Sequence, residues 1–96
     1  MAYLHAVHYY LPETRRTNED LVRWNPHWHP EKIFAKTGIR SRPVVVDGQT
    51  ATDLGYEAAE RLFAETGADR TAVDAILFCT QSPDYFLPSS ACLLQD

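Results

Sequence analysis

The sequence of 96 residues has few cysteines and no long apolar segment. Its two cysteines, Cys79 and Cys92, are too few for a disulfide framework, which favours a reducing compartment such as the cytoplasm. The longest purely apolar run, Ala75–Cys79, is far shorter than the roughly 20 residues that a membrane-spanning helix needs. The opening residues also lack the basic segment and apolar run of a signal peptide. The sequence therefore predicts neither a membrane span nor secretion.

Glycine is scarce as well, with four residues, at positions 38, 48, 55 and 67. Their spacing does not match the G-x-G-x-x-G or G-x-x-x-x-G-K loops, which bind nucleotide phosphates through backbone amides. The G-x-S-x-G turn that presents a nucleophilic serine is absent too. Nucleotide-binding and hydrolase folds built on these loops therefore lose their main support.

The composition that is present belongs to a globular domain, with 45% hydrophobic and 23% charged residues. The length allows one domain at most. A chain of this size can bury roughly 65% of the surface that it exposes when unfolded, so a modest core is expected without disulfide bonds or bound metal ions.

Charge is distributed unevenly along the chain. The formal net charge of −4 argues against a general nucleic-acid-binding protein. Residues 1–42, however, contain seven arginines and lysines, four acidic residues and all four histidines. This local basic region is compatible with a small phosphorylated or acidic ligand more readily than with a long polyanion. From charge alone, the favoured alternative is that these side chains simply solvate helix faces.

The first part of the sequence predicts a strand followed by two short helices. Residues 2–10, rich in aromatic and β-branched side chains, are typical of a strand. Thr17–Asp20 has the pattern of a capping box, which predicts a helix that ends at Asn25. Pro30 suits the first turn of a second helix, and Gly38 can end it in a left-handed conformation.

The second part predicts a β-α-β unit. Residues 41–46 and 75–80 have the composition of strands, and the later one is apolar enough to be covered on both faces, as in a parallel sheet. Between them, residues 50–66 repeat apolar side chains at three- and four-residue spacing, which predicts an amphipathic helix. This order predicts a right-handed crossover between two parallel strands.

Several local features accompany this unit. Thr50 can cap the start of the helix and Gly67 can end it, while Asp47–Gly48 is typical of a turn. Residues 69–73 predict one further helical turn. Gly55 inside the helix costs about 1 kcal/mol relative to alanine, which indicates that a neighbouring element packs closely there.

A last helix is predicted after Pro88, through Ser89–Leu94. No signal for its end precedes Asp96, so the helix looks interrupted. We therefore predict that residues 1–96 form a single partial domain, the front of a longer one.

Two histidines and two cysteines are the candidates for special chemistry. His27 and His29 supply only two imidazoles, so a solvated loop is favoured over a metal site and no metal is predicted. Cys92, on the first turn of the last helix, can act as a nucleophile only with a base nearby. The favoured alternative is a small apolar group packed under the helix. Cys79, at the end of an apolar strand, is expected to be buried.

Several segments, in their order and spacing, carry a family resemblance. They are Leu11–Glu13 with Arg16–Leu21, Lys36–Arg42, Gly55–Ala59 and Thr80–Gln95. Together they resemble the N-terminal part of β-ketoacyl-acyl-carrier-protein synthase III, a condensing enzyme of the thiolase superfamily. The resemblance covers essentially all of this chain and only the first part of a family member. It implies an α/β fold, the incomplete N-terminal half of a thiolase-like fold, with β-α-β units and a mostly parallel sheet.

The resemblance implies a decarboxylative condensation in fatty-acid or related biosynthesis. In the family, a cysteine takes the acyl group from acyl-CoA, malonyl-acyl-carrier protein supplies the carbanion, and a histidine and an asparagine stabilise the thioester oxygen. These three residues lie in later segments of the family, and Cys92 matches a non-catalytic cysteine. No catalytic residue is therefore expected in this chain, which alone is predicted to be inactive. Acyl-CoA enters as a substrate, and no cofactor is implied.

The resemblance also assigns binding positions. Lys36 occupies the position of a basic residue near the phosphates of coenzyme A, and Lys32 that of an aromatic residue that stacks on the adenine. Trp28, one helical turn earlier, is a hypothetical replacement for that stacking platform. Phe86 and Leu87 lie in the loop that in the family crosses a homodimer interface into the partner's acyl pocket. Leucine there, where phenylalanine is common, would admit a longer or branched acyl primer.

Three interpretations of function stay open at this stage. The leading one is part of a synthase III-like acyltransferase, and Lys32 and Leu87 also leave room for a condensing enzyme of secondary metabolism. The second is a small binding module that uses its basic region to hold acyl-carrier protein or coenzyme A. The third is a structural fragment that self-associates through the apolar segment 75–79.

Overall fold

The computed structural model describes all 96 residues, which fall into two compact units. One unit comprises residues 11–47, and the other comprises residues 1–10 and 48–96. The assignment of residues 1–96 to a single partial domain stays a prediction.

The unit of residues 11–47 consists of two short helices and a two-stranded antiparallel sheet. Its elements are β1 (Arg15–Thr17), α1 (Asn18–Trp24), α2 (Pro30–Thr37) and β2 (Ser41–Pro43). In the sheet, Arg16 lies opposite Arg42. Helices α1 and α2 pack on each other, so the segment between them, residues 25–29, is held at one end of the helix pair.

The two helices of this unit begin and end where the sequence predicts. Thr17 and Asp20 form the capping box of α1, and Asn25 follows its last residue. Pro30 occupies the first turn of α2, and Gly38 ends it with a φ of 69°. Only glycine adopts such a left-handed conformation without steric cost, which fixes the end of α2.

The other unit is built around the longest helix of the protein. Its elements are α3 (Ala51–Thr66), a 3-10 turn (Arg70–Ala72) and α4 (Ser90–Gln95). Thr50 and Asp53 form a second capping box, and Gly67 ends α3. None of the helices has the combination of length and apolar character that a bilayer crossing requires.

Gly55 permits the close contact on α3 that the sequence predicts. A Cβ atom added at this position would lie 2.5 Å from Cε2 of Phe78. The ring of Phe78 therefore occupies the space of the missing side chain, and residues around Phe78 pack directly against the helix backbone.

The strand predictions are mostly wrong. Residues 2–10 and 75–80 form no strand, and the strand predicted over 41–46 is limited to Ser41–Pro43, which pairs with β1 in antiparallel orientation. The parallel β-α-β unit is therefore not hydrogen-bonded within this chain. A strand requires a neighbour that completes its backbone ladder, and side-chain composition does not specify that neighbour. The sequence does not predict β1, because a strand of three residues is too short to show an alternating pattern of apolar and polar side chains.

The expected core is also absent. Pro12 is buried, but no apolar side chain is fully buried, and several large ones are exposed over more than four-fifths of their surface. These are Met1, Tyr3, Leu4, Leu77, Phe86 and Leu87. The reason is that residues 2–10 and 75–80 present apolar side chains to two sides, whereas only some of these side chains find a neighbour.

The predictions for the two cysteines need the same correction. Both Cys79 and Cys92 are unpaired and exposed, although burial was expected for each. Cys79 lies within residues 75–80, which lack the predicted sheet neighbours. Cys92 lies in the first turn of α4, where its Sγ accepts a hydrogen bond from the Ser89 hydroxyl at 3.3 Å. Helix α4 begins at Ser90, two residues after Pro88, and Ser89 caps its start.

Three carboxylates, those of Asp20, Glu60 and Asp69, have lowered pKa values and set an expected acid limit for the fold. The Thr17 backbone N–H donates to Asp20 at 2.9 Å and lowers the pKa of Asp20. Hydrogen bonds from the Arg70 guanidinium lower the pKa of Glu60. A carboxylate whose pKa is lower in the folded state stabilises the fold above its unfolded pKa, and this contribution is lost as the pH falls through the folded pKa.

We therefore expect the thermal midpoint to decline as the pH is lowered through 4.5, the ordinary glutamate value, and then below 3.8, the ordinary aspartate value. Calorimetry over this range measures the decline. Asp20→Asn should flatten part of it, whereas Asp74→Asn, at a carboxylate that forms no hydrogen bond or ion pair, should leave it unchanged. A midpoint that is constant below pH 3.8 would contradict the assignment.

Candidate functional site

A cavity of about 660 Å³ lies in the unit of residues 11–47. It is bounded by α1, α2, the segment between them and β2. The lining residues are Leu21, His27, Trp28, His29, Lys32, Ile33, Lys36, Thr37, Ile39 and Arg42. Three predicted binding residues, Trp28, Lys32 and Lys36, are therefore brought together at one site.

The two lysines share one face of α2. Because they are four residues apart on a helix, their side chains leave the same side. The positions of Pro30 and Gly38 at the two ends of α2 fix the length of this helix, and so the presentation of both ammonium groups. Ile33 and Thr37, on the adjoining face, supply the less polar part of the lining.

Trp28 is placed by the turn that follows α1. Its backbone N–H donates to the carbonyl oxygen of Asn25 at 3.0 Å, which closes the turn. The side chain of Trp28 lines the cavity while half of its surface stays exposed. An indole ring held in this way offers a face on which a flat aromatic ligand can stack.

The charge in the cavity has one sign. Lys32, Lys36 and Arg42 are cations, and no aspartate or glutamate is among the lining residues. His27 and His29 add two imidazole rings to the lining. A cavity with this lining attracts anions, and the nearby indole adds a preference for an anion that carries an aromatic group.

Arg42 and Asn18 are the members of this site that sequence reasoning missed. Asn18, 4% exposed, accepts a hydrogen bond from Nη2 of Arg42 at 2.8 Å and donates to the carbonyl of Ile39 at 2.8 Å. The two residues are 24 positions apart, and no periodicity links them. The available signals were the charge of Arg42 in a basic region and the position of both residues in segments that carry the family resemblance, Arg16–Leu21 and Lys36–Arg42.

Phe86 and Leu87 do not line this cavity, and both side chains are almost fully exposed. They belong to the other unit, in the loop before α4. Asp84 anchors that loop to the start of α3, since its carboxylate accepts hydrogen bonds from Thr50 at 3.0 Å and from Thr52 at 2.9 Å. The anchor leaves the two apolar side chains presented to solvent.

The remaining candidates form no reaction centre. His27 and His29 both line the cavity, but no group of three or more histidine, cysteine, aspartate or glutamate side chains is arranged to hold a metal ion. Cys92 interacts with Ser89 and with no histidine. The arrangement therefore supports binding of an anion.

Comparison with curated proteins relates this chain to one class of enzyme. It is 43% identical over 89 residues to β-ketoacyl-[acyl-carrier-protein] synthase III of Xanthomonas axonopodis pv. citri, and the match covers 90% of this chain and 26% of the relative. It is 40% identical over 93 residues to a synthase III of Halalkalibacterium halodurans, with 94% and 27% covered. The chain thus spans about a quarter of the length of the relatives it matches. No family model matches it.

Solved structures agree with this relation. A 3-oxoacyl-(acyl-carrier-protein) synthase III superposes with a TM-score of 0.79 at 49% identity, covering 94% of this chain and 27% of the other. The synthase III of Thermus thermophilus superposes with a TM-score of 0.82 at 31% identity, covering 93% and 27%. Sequence and fold therefore point to the same enzymes.

Proposed function

We propose, on the premise that this chain is homologous to a quarter-length part of the β-ketoacyl-[acyl-carrier-protein] synthases III, that it holds the nucleotide of an acyl-CoA donor. The homology confirms the resemblance that the sequence motifs indicated and the partial, thiolase-like α/β fold class. The activity of the whole protein, its substrates and its partners belong to the proposal.

The observation that carries the proposal is the meeting of Trp28, Lys32 and Lys36 at one cavity. Coenzyme A ends in an adenine ring next to several phosphates. Two ammonium groups on one helix face supply the charge for the phosphates, and the half-exposed indole of Trp28 supplies a surface for the adenine. Lys32 stands at the family's aromatic position, so the stacking role passes to Trp28.

The proposed reaction of the whole protein is a decarboxylative condensation. The acyl group passes from the sulfur of coenzyme A to an enzyme cysteine, and free coenzyme A leaves. Malonyl-acyl-carrier protein then loses carbon dioxide, and the resulting carbanion attacks the acyl-enzyme thioester, which releases the cysteine. That cysteine and its histidine and asparagine partners are proposed to lie outside these residues. No cofactor takes part in this scheme.

We further propose a homodimeric, cytoplasmic enzyme. Phe86 and Leu87 are apolar and almost fully exposed, as expected of side chains that a second subunit covers. A leucine at the second position suits a longer or branched acyl primer, as in secondary metabolism. Two free, exposed cysteines are compatible with a reducing compartment.

Binding of coenzyme A to the protein tests the proposal. Isothermal titration should detect coenzyme A and should not detect pantetheine, which lacks the nucleotide. Trp28→Ala should weaken binding about ten-fold, the order of one lost stacking contact. Trp24→Ala is the matched control, because Trp24 is exposed beneath Arg16 and does not line the cavity. Equal affinities of the two variants, or no binding of coenzyme A, would refute the proposal.

Cys92 is expected to stay unmodified when the protein is incubated with excess acetyl-CoA. The physical reason is that a thiol needs a neighbouring base, and none contacts this one. Intact-mass spectrometry measures acylation, with Cys79→Ser to assign any adduct and iodoacetamide to demonstrate that the exposed thiol is accessible. Rapid, stoichiometric acylation of Cys92 would contradict this expectation and would indicate a catalytic role for this chain in place of nucleotide binding.

A further inference from the structure

An open groove of about 320 Å³ lies where β1 meets α1, within the unit of residues 11–47. The residues that line it, which together we name the arginine groove, are Thr14, Arg15, Arg16, Asp20, Arg23 and Trp24. The groove shares no residue with the cavity beside α2. Three arginines against one aspartate make its local charge positive, although the formal net charge of the whole chain is −4.

The one acidic side chain of the arginine groove is already engaged. Asp20 accepts two hydrogen bonds in the capping box of α1, and its second oxygen lies 3.6 Å from Nη1 of Arg23. The Arg23 side chain is nevertheless 80% exposed, and Arg15 and Arg16 form no ion pair. Arg16 also lies opposite Arg42 in the sheet, so the neighbouring strand supplies no acid to it. The arginines therefore keep donors free for an anion from outside the chain.

Trp24 gives the groove an apolar wall and holds one of its cations. The guanidinium of Arg16 lies 3.9 Å from the centre of the Trp24 ring. Stacking orients the guanidinium plane and leaves its N–H groups, which lie in that plane, available to a carboxylate. The indole is 64% exposed, so apolar surface is open beside the charge. Tryptophan and arginine are the residue types enriched among the strongest contacts of protein interfaces. This pair therefore favours a protein partner.

We propose that the arginine groove is a docking surface for an acidic segment of a partner protein. Carboxylates of the segment pair with the arginines, and an apolar side chain beside them covers the indole of Trp24. A nucleic acid is disfavoured because the chain has a net negative charge and Asp20 lies in the groove, where it repels phosphates. The inference goes beyond the proposed nucleotide binding, since the two sites have no residue in common.

The indole N–H resonances test this proposal. The protein has two tryptophans, so the ¹⁵N-labelled protein gives two indole signals, which Trp24→Phe assigns. The titrant is a helical peptide with glutamates spaced one turn apart and leucines beside them, and the control titrant replaces each glutamate with glutamine. The Trp24 signal should shift saturably with the glutamate peptide, less so at high salt, and should not shift with the glutamine peptide.

Three outcomes of this titration would overturn the proposal. The first is a Trp24 signal that does not respond to the glutamate peptide. The second is a tighter response to a single-stranded oligonucleotide, which would make the groove a nucleic-acid site. The third is an equal response to coenzyme A, which would make it a general anion site. Coenzyme A is expected to shift the Trp28 signal alone, and a failure of that shift would refute the nucleotide-binding proposal without affecting this one.

Arg16→Gln should weaken binding of the glutamate peptide about five-fold, the order of one exposed ion pair. Arg40→Gln is the matched control, because Arg40 is likewise stacked on an aromatic ring, that of Phe34, and does not line the groove. Arg23→Gln, at a more exposed side chain, should act like Arg16→Gln without a risk to the fold. Circular dichroism verifies that all three variants are folded. Affinities of Arg16→Gln and Arg23→Gln equal to that of Arg40→Gln would overturn the proposal.

Discussion

Replacing Asn18 with alanine is expected to reduce the free energy of unfolding by about 3 kcal/mol, the loss for a charged and a neutral hydrogen bond whose partners stay buried. Asn18 is 4% exposed and connects the start of α1 to β2 and to the loop that precedes β2. Its amide donates to the Ile39 carbonyl, and its oxygen accepts from Arg42. Alanine leaves both partners unsatisfied while suiting the first turn of α1, so helix propensity does not explain the loss.

Urea unfolding of Asn18→Ala, followed by tryptophan fluorescence, measures this effect. Asn25→Ala is the matched control, because the Asn25 side chain forms no hydrogen bond, and its expected change is below about 0.5 kcal/mol. Asn18→Asp keeps an acceptor for Arg42 but turns an oxygen toward the Ile39 carbonyl, and should fall between the two. Equal stabilities of Asn18→Ala and Asn25→Ala would show that the buried asparagine does not organise this unit.

Reversing both lysine charges, Lys32→Glu with Lys36→Glu, is expected to weaken coenzyme A binding about 100-fold at low salt. Each of the four units of charge changes the interaction with the ligand by up to about 1 kcal/mol at an exposed site, so their sum is at most about 4 kcal/mol, and a 100-fold change of about 2.7 kcal/mol lies within this limit. The affinity of the variant should fall less steeply with added salt than that of the unchanged protein, because the attraction that salt screens has been removed. Titration calorimetry at two ionic strengths measures both effects.

Arg15→Glu with Arg23→Glu is the matched control for this charge reversal. It changes the net charge by the same amount within the same unit, and neither arginine lines the cavity. If this control weakens binding as strongly as the lysine variant, the net charge of the unit attracts the ligand and the cavity does not. Circular dichroism verifies that the helices of both variants are folded when their affinities are compared.

The local elements could be predicted because their causes are local. Thr17 with Asp20 and Thr50 with Asp53 form capping boxes from residues three positions apart, so the sequence pattern contains the complete set of hydrogen-bonding groups. Gly38 ends α2 because its own backbone adopts a left-handed conformation. The placement of Trp28, Lys32 and Lys36 on and before α2 follows from the predicted bounds of that helix, whereas their predicted binding roles come from the family resemblance alone.

The strands and the burial could not be predicted in this way. Composition indicated strands over residues 2–10 and 75–80, yet a strand forms only when another segment completes its hydrogen bonds, and these segments have no such neighbour. The same absence leaves Cys79 exposed. Gly55 is the exception, because a glycine inside a helix already indicates a close neighbour, here Phe78.

By itself the sequence determined the positions and ends of the helices, the basic character of residues 1–42 and the relation to the condensing enzymes. These depend on interactions within a few residues or on the order of motifs. Only the tertiary structure decided that Arg42 joins Lys32 and Lys36 at one cavity, and that Asn18 holds it there. The physical reason is that a hydrogen bond across 24 residues depends on how α1 and β2 are brought together, which no local pattern records.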